Sequence, residues 1–368
     1  MQVGSIPPDW VRRRRPARRT RRVHPSPDVD PERSPPVRRA RLLAATVLAS
    51  SLALTACGGG DDPESGGDQQ QAKAEVASTW PLTGLPVEGD DDASQEHPVM
   101  VVKIDNSSAS SPQLGLGSAD LVVEELVEGG MTRLAAFFYS ELPDKTGPVR
   151  SMRASDIGIV APSDGVMVTS GAAPVTIDRI KDAGIEFFGE GSPGISRDDA
   201  RAQPYNLFSD LAATAKAAKV EDERPDDYLE WGSAEDLPKG QPARTIAASF
   251  SGGHTTNWRF EKGAYVNENS YAADGDEFRA DTVLVLRVKV GDAGYLDPAN
   301  NPVPETKLTG TGEALLFHDG RLVRGTWTKD GLDAPITLST QAGDLTVPAG
   351  HTWLELVPQD GGDVTFGK

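Results

Sequence analysis

The 368-residue chain has a single cysteine, Cys57, five histidines and few aromatic residues, 6% in all. One cysteine excludes a disulfide scaffold and any multi-cysteine zinc site. His97, His254, His318 and His351 lack metal-ligand spacing, so each reads as an ordinary surface or packing side chain. HExxH, Walker A and GxSxG patterns are all missing, and Gly115-Leu116-Gly117 lacks the third glycine of a dinucleotide loop. Asp90-Asp91-Asp92 reads as a solvated loop, and Asp274 to Glu277 lacks the ligand spacing of an EF-hand. No cofactor or metal is expected, and no enzyme class is indicated. Basic charge is scarce beyond the front end. The first 56 residues hold 12 Arg against four acidic residues, whereas the other 312 carry 25 basic and 51 acidic side chains. A body that acidic is a poor general binder of nucleic acid.

No apolar run reaches the ~20 residues of a membrane-spanning helix. The run from Leu42 to Ala56 has 15 residues, the size of a signal-peptide core. It follows Arg-rich sequence and ends in Leu54-Thr55-Ala56-Cys57. Small residues placed directly before a cysteine resemble a lipobox, so residues 1–56 are expected to be a signal peptide and Cys57 a lipidated, palmitate-bearing N-terminus. A start near Val37 would give the more usual length of basic leader. Acyl chains contribute about 0.8 kcal/mol per buried CH₂, which places the chain on the extracytoplasmic face of a cell membrane. Residues 57–79 are polar and Gly-rich, and read as a flexible tether.

Two domains are expected beyond the tether. Residues 80–220 hold strand-like runs at Val99 to Ile104, Leu121 to Val127, Thr132 to Ser140 and Val166 to Thr169. Helix signals fall at Pro174 to Ala183 and at Asp210 to Lys219, the second with Ser209 as N-cap. Mixed elements of this kind predict an α/β or α+β domain with a mixed sheet. The polar stretch 221–243 reads as a linker. Residues 244–360 then predict a small, mostly β domain, with a half-buried strand at Thr282 to Val290 and a further strand at Trp353 to Val357. Asp319-Gly320 between two strand-like runs is a two-residue hairpin signal. Residues 361–368 are left as a tail.

Chemistry concentrates in the first domain. Asp105 and Asn106 close a buried-type strand, Glu124, Glu125 and Glu128 lie along a hairpin, and Arg133 stands across its turn. Arg150 and Arg153 flank Ser151. If Ser151 starts a helix, backbone N–H groups and two guanidinium groups converge on an anion. In the alternative the arginines pair with the glutamates and hold the hairpin together.

These same residues carry a resemblance to the YerB-like bacterial lipoproteins, a domain of unknown function with N- and C-terminal parts. It rests on Pro81-Leu-Thr-Gly84, Val101-Val-Lys-Ile-Asp-Asn106, Pro112-Gln-Leu-Gly-Leu116, Ala119-Asp120, Val127-Glu-Gly-Gly-Met-Thr-Arg133, Gly147-Pro-Val-Arg-Ser-Met-Arg153 and Pro204-Tyr-Asn-Leu207. The segments Gly312 to Trp327 and Gly350 to Val357 extend it into the second domain. The resemblance covers most of residues 81–358. Tyr205 stands where the family usually has His, and Tyr265 to Ala280 is shorter than its equivalent. The family implies an address and an architecture but no reaction. Three readings follow. In the favoured one the protein binds an anionic wall polymer or glycan, with Arg133, Arg150 and Arg153 holding charge. Asp105, Asn106, Gln113, Glu128, Ser151 and Asn206 complete that site. In the second, Asp105, Glu124 or Glu128 act as acid and base in an envelope hydrolase. In the third the protein is a scaffold for an envelope protein.

Overall fold

A computed structural model describes residues 78–88, 93–220 and 223–368. The segment read as a signal peptide, Cys57 and all but the end of the expected tether lie outside the described residues.

Strands buried on both faces read as continuous apolar runs rather than alternating ones. Three such strands come first: β1 (Met100–Asn106), β2 (Leu121–Leu126) and β3 (Thr132–Phe138). β3 pairs antiparallel with both neighbours, so Arg133 lies opposite Asp105 on one side and Glu125 on the other. Gly129 and Gly130 join β2 to β3 with φ of 69° and 74°, a left-handed conformation that a Cβ would strain. Then follow α1 (Asp156–Val160), β4 (Val166–Val168), α2 (Pro174–Asp182) and β5 (Phe187–Phe188). β4 and β5 extend the sheet in parallel beyond β1. β6 (Ile195–Arg197) pairs with β7 (Leu207–Ser209), and α3 spans Leu211–Ala215.

The second half is strand after strand. β8 (Trp231–Gly232), β9 (Gln241–Pro242), β10 (Thr245–Ser249), β11 (Thr255–Glu261), β12 (Ala264–Asn267) and β13 (Arg279–Ala280) precede the long β14 (Thr282–Leu296). β15 (Pro302–Lys307), β16 (Gly310–His318), β17 (Arg321–Lys329), β18 (Thr337–Thr340) and β19 (Gly343–Asp344) follow. β20 (Val347–Pro348), β21 (Thr352–Pro358) and β22 (Asp363–Gly367) end the chain. Asp319 and Gly320, with φ of 46° and 67°, form the tight turn between β16 and β17 that their sequence predicts.

The large mixed sheet runs β19-β18-β17-β16-β14-β21-β2-β3-β1-β4-β5, with β15 on β14 and β9 on β17. β21 enters between the halves and pairs in parallel with β14 and with β2. A separate antiparallel sheet, β13-β12-β11-β10-β22, packs over one face of it. That core holds Val102, Val122, Leu134, Val283 and Trp353 with Ile246, Trp258 and Tyr265 of the covering sheet. On the other face, Val101, Val123, Phe137 and Leu354 pack against Ile157, Ile159 and Ile180 of the helices. The large sheet therefore has a β-covered face and a helix-covered face, and successive residues of each strand alternate between them.

The architecture differs from expectation in five places, one being that residues 361–368, read as a tail, hold β22, which pairs antiparallel with β10. Among the described residues the protein is mostly sheet, only 12% helical, so an α/β label fits loosely. The Ala-rich helix expected to Lys219 ends at Ala215, and its N-cap is Asp210, whose carboxylate accepts from Ala213 N. Alanine propensity alone does not sustain a helix that buries only Leu211, Thr214 and Ala215. Ser209 instead ends β7. Ser151 starts no helix, since α1 begins at Asp156 and residues 150–153 are irregular. Finally, the stretch read as a linker is tied down. β8 pairs with β20, β9 pairs with β17, and buried Tyr228 donates its hydroxyl to the Ile159 carbonyl at 2.8 Å.

Candidate functional site

Alternation along β1, β2 and β3 separates the candidate residues into two groups. Lys103, Asp105, Glu125 and Arg133 point to the helix-covered face, while Asn106, Glu124 and Thr132 point to the β-covered face. The three carboxylates proposed for acid–base work, Asp105, Glu124 and Glu128, therefore do not face one space. Glu124 is fully buried on the side away from Asp105.

On the helix-covered face the three arginines do come together. Arg153 pairs with Glu128: Nη2 donates to Oε2 at 2.7 Å, and Nε lies 2.7 Å from Oε1 without making a hydrogen bond. Burial is the largest single influence on Arg153 and lowers its pKa, but the hydrogen bond to Glu128 and the charge of Glu128, with Tyr295 and Glu125, together outweigh it and leave the pKa raised. Arg150 Nε lies 3.0 Å from Asp105 Oδ2, and its guanidinium sits 5.2 Å from the centre of the Tyr205 ring. Arg133 differs. Its Nη1 donates to the Ser151 carbonyl at 2.8 Å, but among the described residues no carboxylate lies within 4 Å of it. Arg133 Nε is buried with no acceptor, and the whole residue is 6% exposed. Burial, reinforced by the nearby Arg153, lowers its pKa to about 10, so it stays charged at neutral pH. Ser151 Oγ is 3.2 Å from Ser170 Oγ at the exposed rim.

Deeper on the same face, fully buried Lys103 reaches Glu125 at 2.9 Å and Asp156 of α1 at 2.7 Å. Burial pushes the Glu125 carboxyl upward, Lys103 opposes this, and the charge on Asp156 adds to the push. Lys103 lies within the family-like stretch Val101 to Asn106 but is not singled out there as a site residue, and Asp156 carries no motif. An apolar strand interrupted by one lysine was the only available signal.

The remaining candidates hydrogen-bond within the fold. Gln113 Nε2 donates to the Asp105 carbonyl at 2.7 Å and to Asn106 Oδ1 at 3.2 Å. Asn106 Nδ2 donates in turn to Glu124 Oε1 at 3.0 Å and Thr132 Oγ1 at 2.9 Å. Both amides are buried and spend their groups internally. Asn206 accepts from Arg197 Nη1 at 2.8 Å and makes no bond to the arginine cluster. His254 is 8% exposed and places Nε2 2.9 Å from Glu124 Oε1, so it belongs to a buried polar network. Two shallow clefts, of about 360 and 280 Å³, lie near Lys145 and Arg197 and near Ser155 and Glu305, and the three arginines line neither. Among the described residues no group of three His, Cys, Asp or Glu could hold a metal ion.

Residues 82–224 match the model for the N-terminal domain of a protein of unknown function, DUF3048, and residues 245–354 match its C-terminal domain. The chain belongs to the DUF3048 family. A relative from Bacillus subtilis (strain 168), named "Putative lipoprotein YerB", is 25% identical over 301 residues, covering 78% of this chain and 89% of that one. The crystal structure of the YerB protein from Bacillus subtilis superimposes with a TM-score of 0.65 at 22% identity, over 78% of this chain and 99% of that chain. The fold is thus shared along nearly the whole of that structure. Among the described residues no helix is long and apolar enough to cross a membrane.

Proposed function

We propose that the protein is a lipid-anchored extracytoplasmic binding protein, with Arg133, Arg150 and Arg153 receiving an anionic group of a wall polymer or glycan. The carrying observation is Arg133, a charged and buried guanidinium with no carboxylate within 4 Å among the described residues, on which Glu128 and Asp105 act only from farther away. Burying a charge whose nearest carboxylates, Glu128 and Asp105, are paired with other guanidinium groups is costly, and a carboxylate or phosphate oxygen at the rim would offset that cost. Arginine's fork suits either group. Asp105 and Glu128 are occupied by guanidinium groups, which favours binding over carboxylate catalysis. The relative's name supports the anchor, and Cys57 is the residue to carry it.

The site is tested with Arg133→Gln and isolated cell-wall material. Losing one charge-assisted contact, ~1.5–3 kcal/mol, should weaken retention about 10- to 100-fold while the protein stays folded. Added salt should weaken binding of the wild type. A variant that loses its fold would make Arg133 a structural residue and put the scaffold reading first. Incorporation of labelled palmitate that persists in Cys57→Ser would overturn the anchor.

A further inference from the structure

Glu124 of β2 and Glu355 of β21 are direct cross-strand partners in the parallel pair that joins the two halves. Both are fully buried on the β-covered face. Glu124 is well supplied with donors. Asn106 Nδ2 reaches Oε1 at 3.0 Å, His254 Nε2 lies 2.9 Å from the same oxygen, Thr256 Oγ1 lies 3.0 Å from both oxygens, and Trp353 Nε1 reaches Oε2 at 3.2 Å. Glu355 has far less. Trp258 Nε1 donates to its Oε1 at 2.8 Å, and Oε2 has no partner among the described residues. No lysine, arginine or histidine nitrogen lies within 4 Å of Glu355 among them.

The elements around the pair add no cation for Glu355. β1 and β3 present neutral Asn106 and Thr132, β11 presents Thr256 and Trp258, and β14 sets Val285 opposite Glu355. His254, just before β11, faces Glu124. Two adjacent carboxylates in a site closed to water do not both ionise.

We propose that Glu355 holds a proton at neutral pH and donates it from Oε2 to Glu124, so that the join between the two halves is closed by a shared carboxyl proton. This accounts for the orphaned Oε2, the absence of a cation and the larger share of donors on Glu124. The surroundings act in the same sense. Burial and the charge on Glu124 push the Glu355 carboxyl well above its ordinary 4.5. Burial also pushes Glu124 upward, but His254, Thr132 and Thr256 outweigh it and hold Glu124 down.

The pH consequence has a definite sign. A carboxyl raised in the folded state takes up a proton on folding. Its favourable contribution is complete below the unfolded value and is lost as pH rises toward the folded one. Between those values the folding constant falls about tenfold per pH unit on account of this group. Alkaline pH therefore loosens the seam between β2 and β21.

The test is Glu355→Gln, whose amide donates to Glu124 and accepts from Trp258 as the neutral acid does. The variant is expected to fold. In urea unfolding followed from pH 5 to pH 9, it should gain on the wild type by up to about tenfold per pH unit, until the pH at which Glu355 ionises. Infrared difference spectra at pH 7 should show a buried carboxylic-acid C=O band in the wild type that the variant lacks. An unfolded variant, parallel pH profiles, or the absence of that band from the wild type would each overturn the shared proton.

Discussion

Glu124 and Glu125 are consecutive, fully buried residues of β2, yet the fold balances their charges in opposite ways. On the helix-covered face Glu125 meets a cation, Lys103, which Asp156 also grips from α1. On the β-covered face Glu124 meets neutral donors, an imidazole and a second carboxyl. One face places opposite charges together and carries that pattern out to the arginines at the rim. The other places like charges together and is closed off by a second sheet. A buried ion pair and a shared proton are two answers to the same desolvation problem. Only the first leaves charged groups near enough to solvent to meet a ligand.

The comparison breaks most visibly at Lys103. Lys103→Met leaves Glu125 and Asp156 buried without their cation, and urea unfolding at pH 7 should show a loss of ~3–5 kcal/mol. The deficit should narrow toward acid pH, because Glu125, already pushed upward by burial and by Asp156, takes up a proton. Unchanged stability would mean that the triad is not maintained in solution. On the opposite face, Glu124→Gln turns one accepting oxygen into a donor among groups that themselves donate. The expected cost is ~1–3 kcal/mol, against no loss for Glu355→Gln at the same pH. Equal losses in the two variants would erase the asymmetry between the carboxyls.

Arg133→Gln sharpens the contrast from the ligand side. It removes one hydrogen bond to the Ser151 carbonyl together with an unpaired buried charge, so stability should move by no more than about 1 kcal/mol in a thermal melt. The smallest effect belongs to Arg179→Gln, since Arg179 is 37% exposed in its pair with Glu305. A cost of ~0.2–1 kcal/mol is expected there, and a larger one would show that the rim of the helix-covered face is less solvated than it looks.

Local pattern made β1, β2, β3, α2 and the Asp319-Gly320 hairpin legible, because each rests on neighbours in the chain. The sequence also grouped Arg133, Arg150 and Arg153 as one candidate cluster, although only Arg133 lies beside the β2–β3 turn and the other two come from the irregular stretch after β3. It did not reveal that Arg150 and Arg153 are matched to Asp105 and Glu128 while Arg133 is left over. That depends on side-chain reach across β1 and β3. Asn106 and Gln113, polar residues beside a candidate site, turned out to brace the strand ends. Glu355 passed unnoticed because nothing in Trp353 to Val357 distinguishes a solvated glutamate from a buried one.

What the sequence determined by itself is what depends on spacing within a few residues: the basic, apolar, small-residue order ending at Cys57, the acidic body, the alternation of faces along each strand and the positions of the tight turns. What only the tertiary structure decided is the insertion of β21 between β2 and β14, and with it the meeting of Glu124 and Glu355 across 231 positions of chain. Period-two alternation tells which residues share a face, but not which strand will lie alongside. That choice is made by long-range packing of the two cores, and it sets which charges find a partner and which must hold a proton.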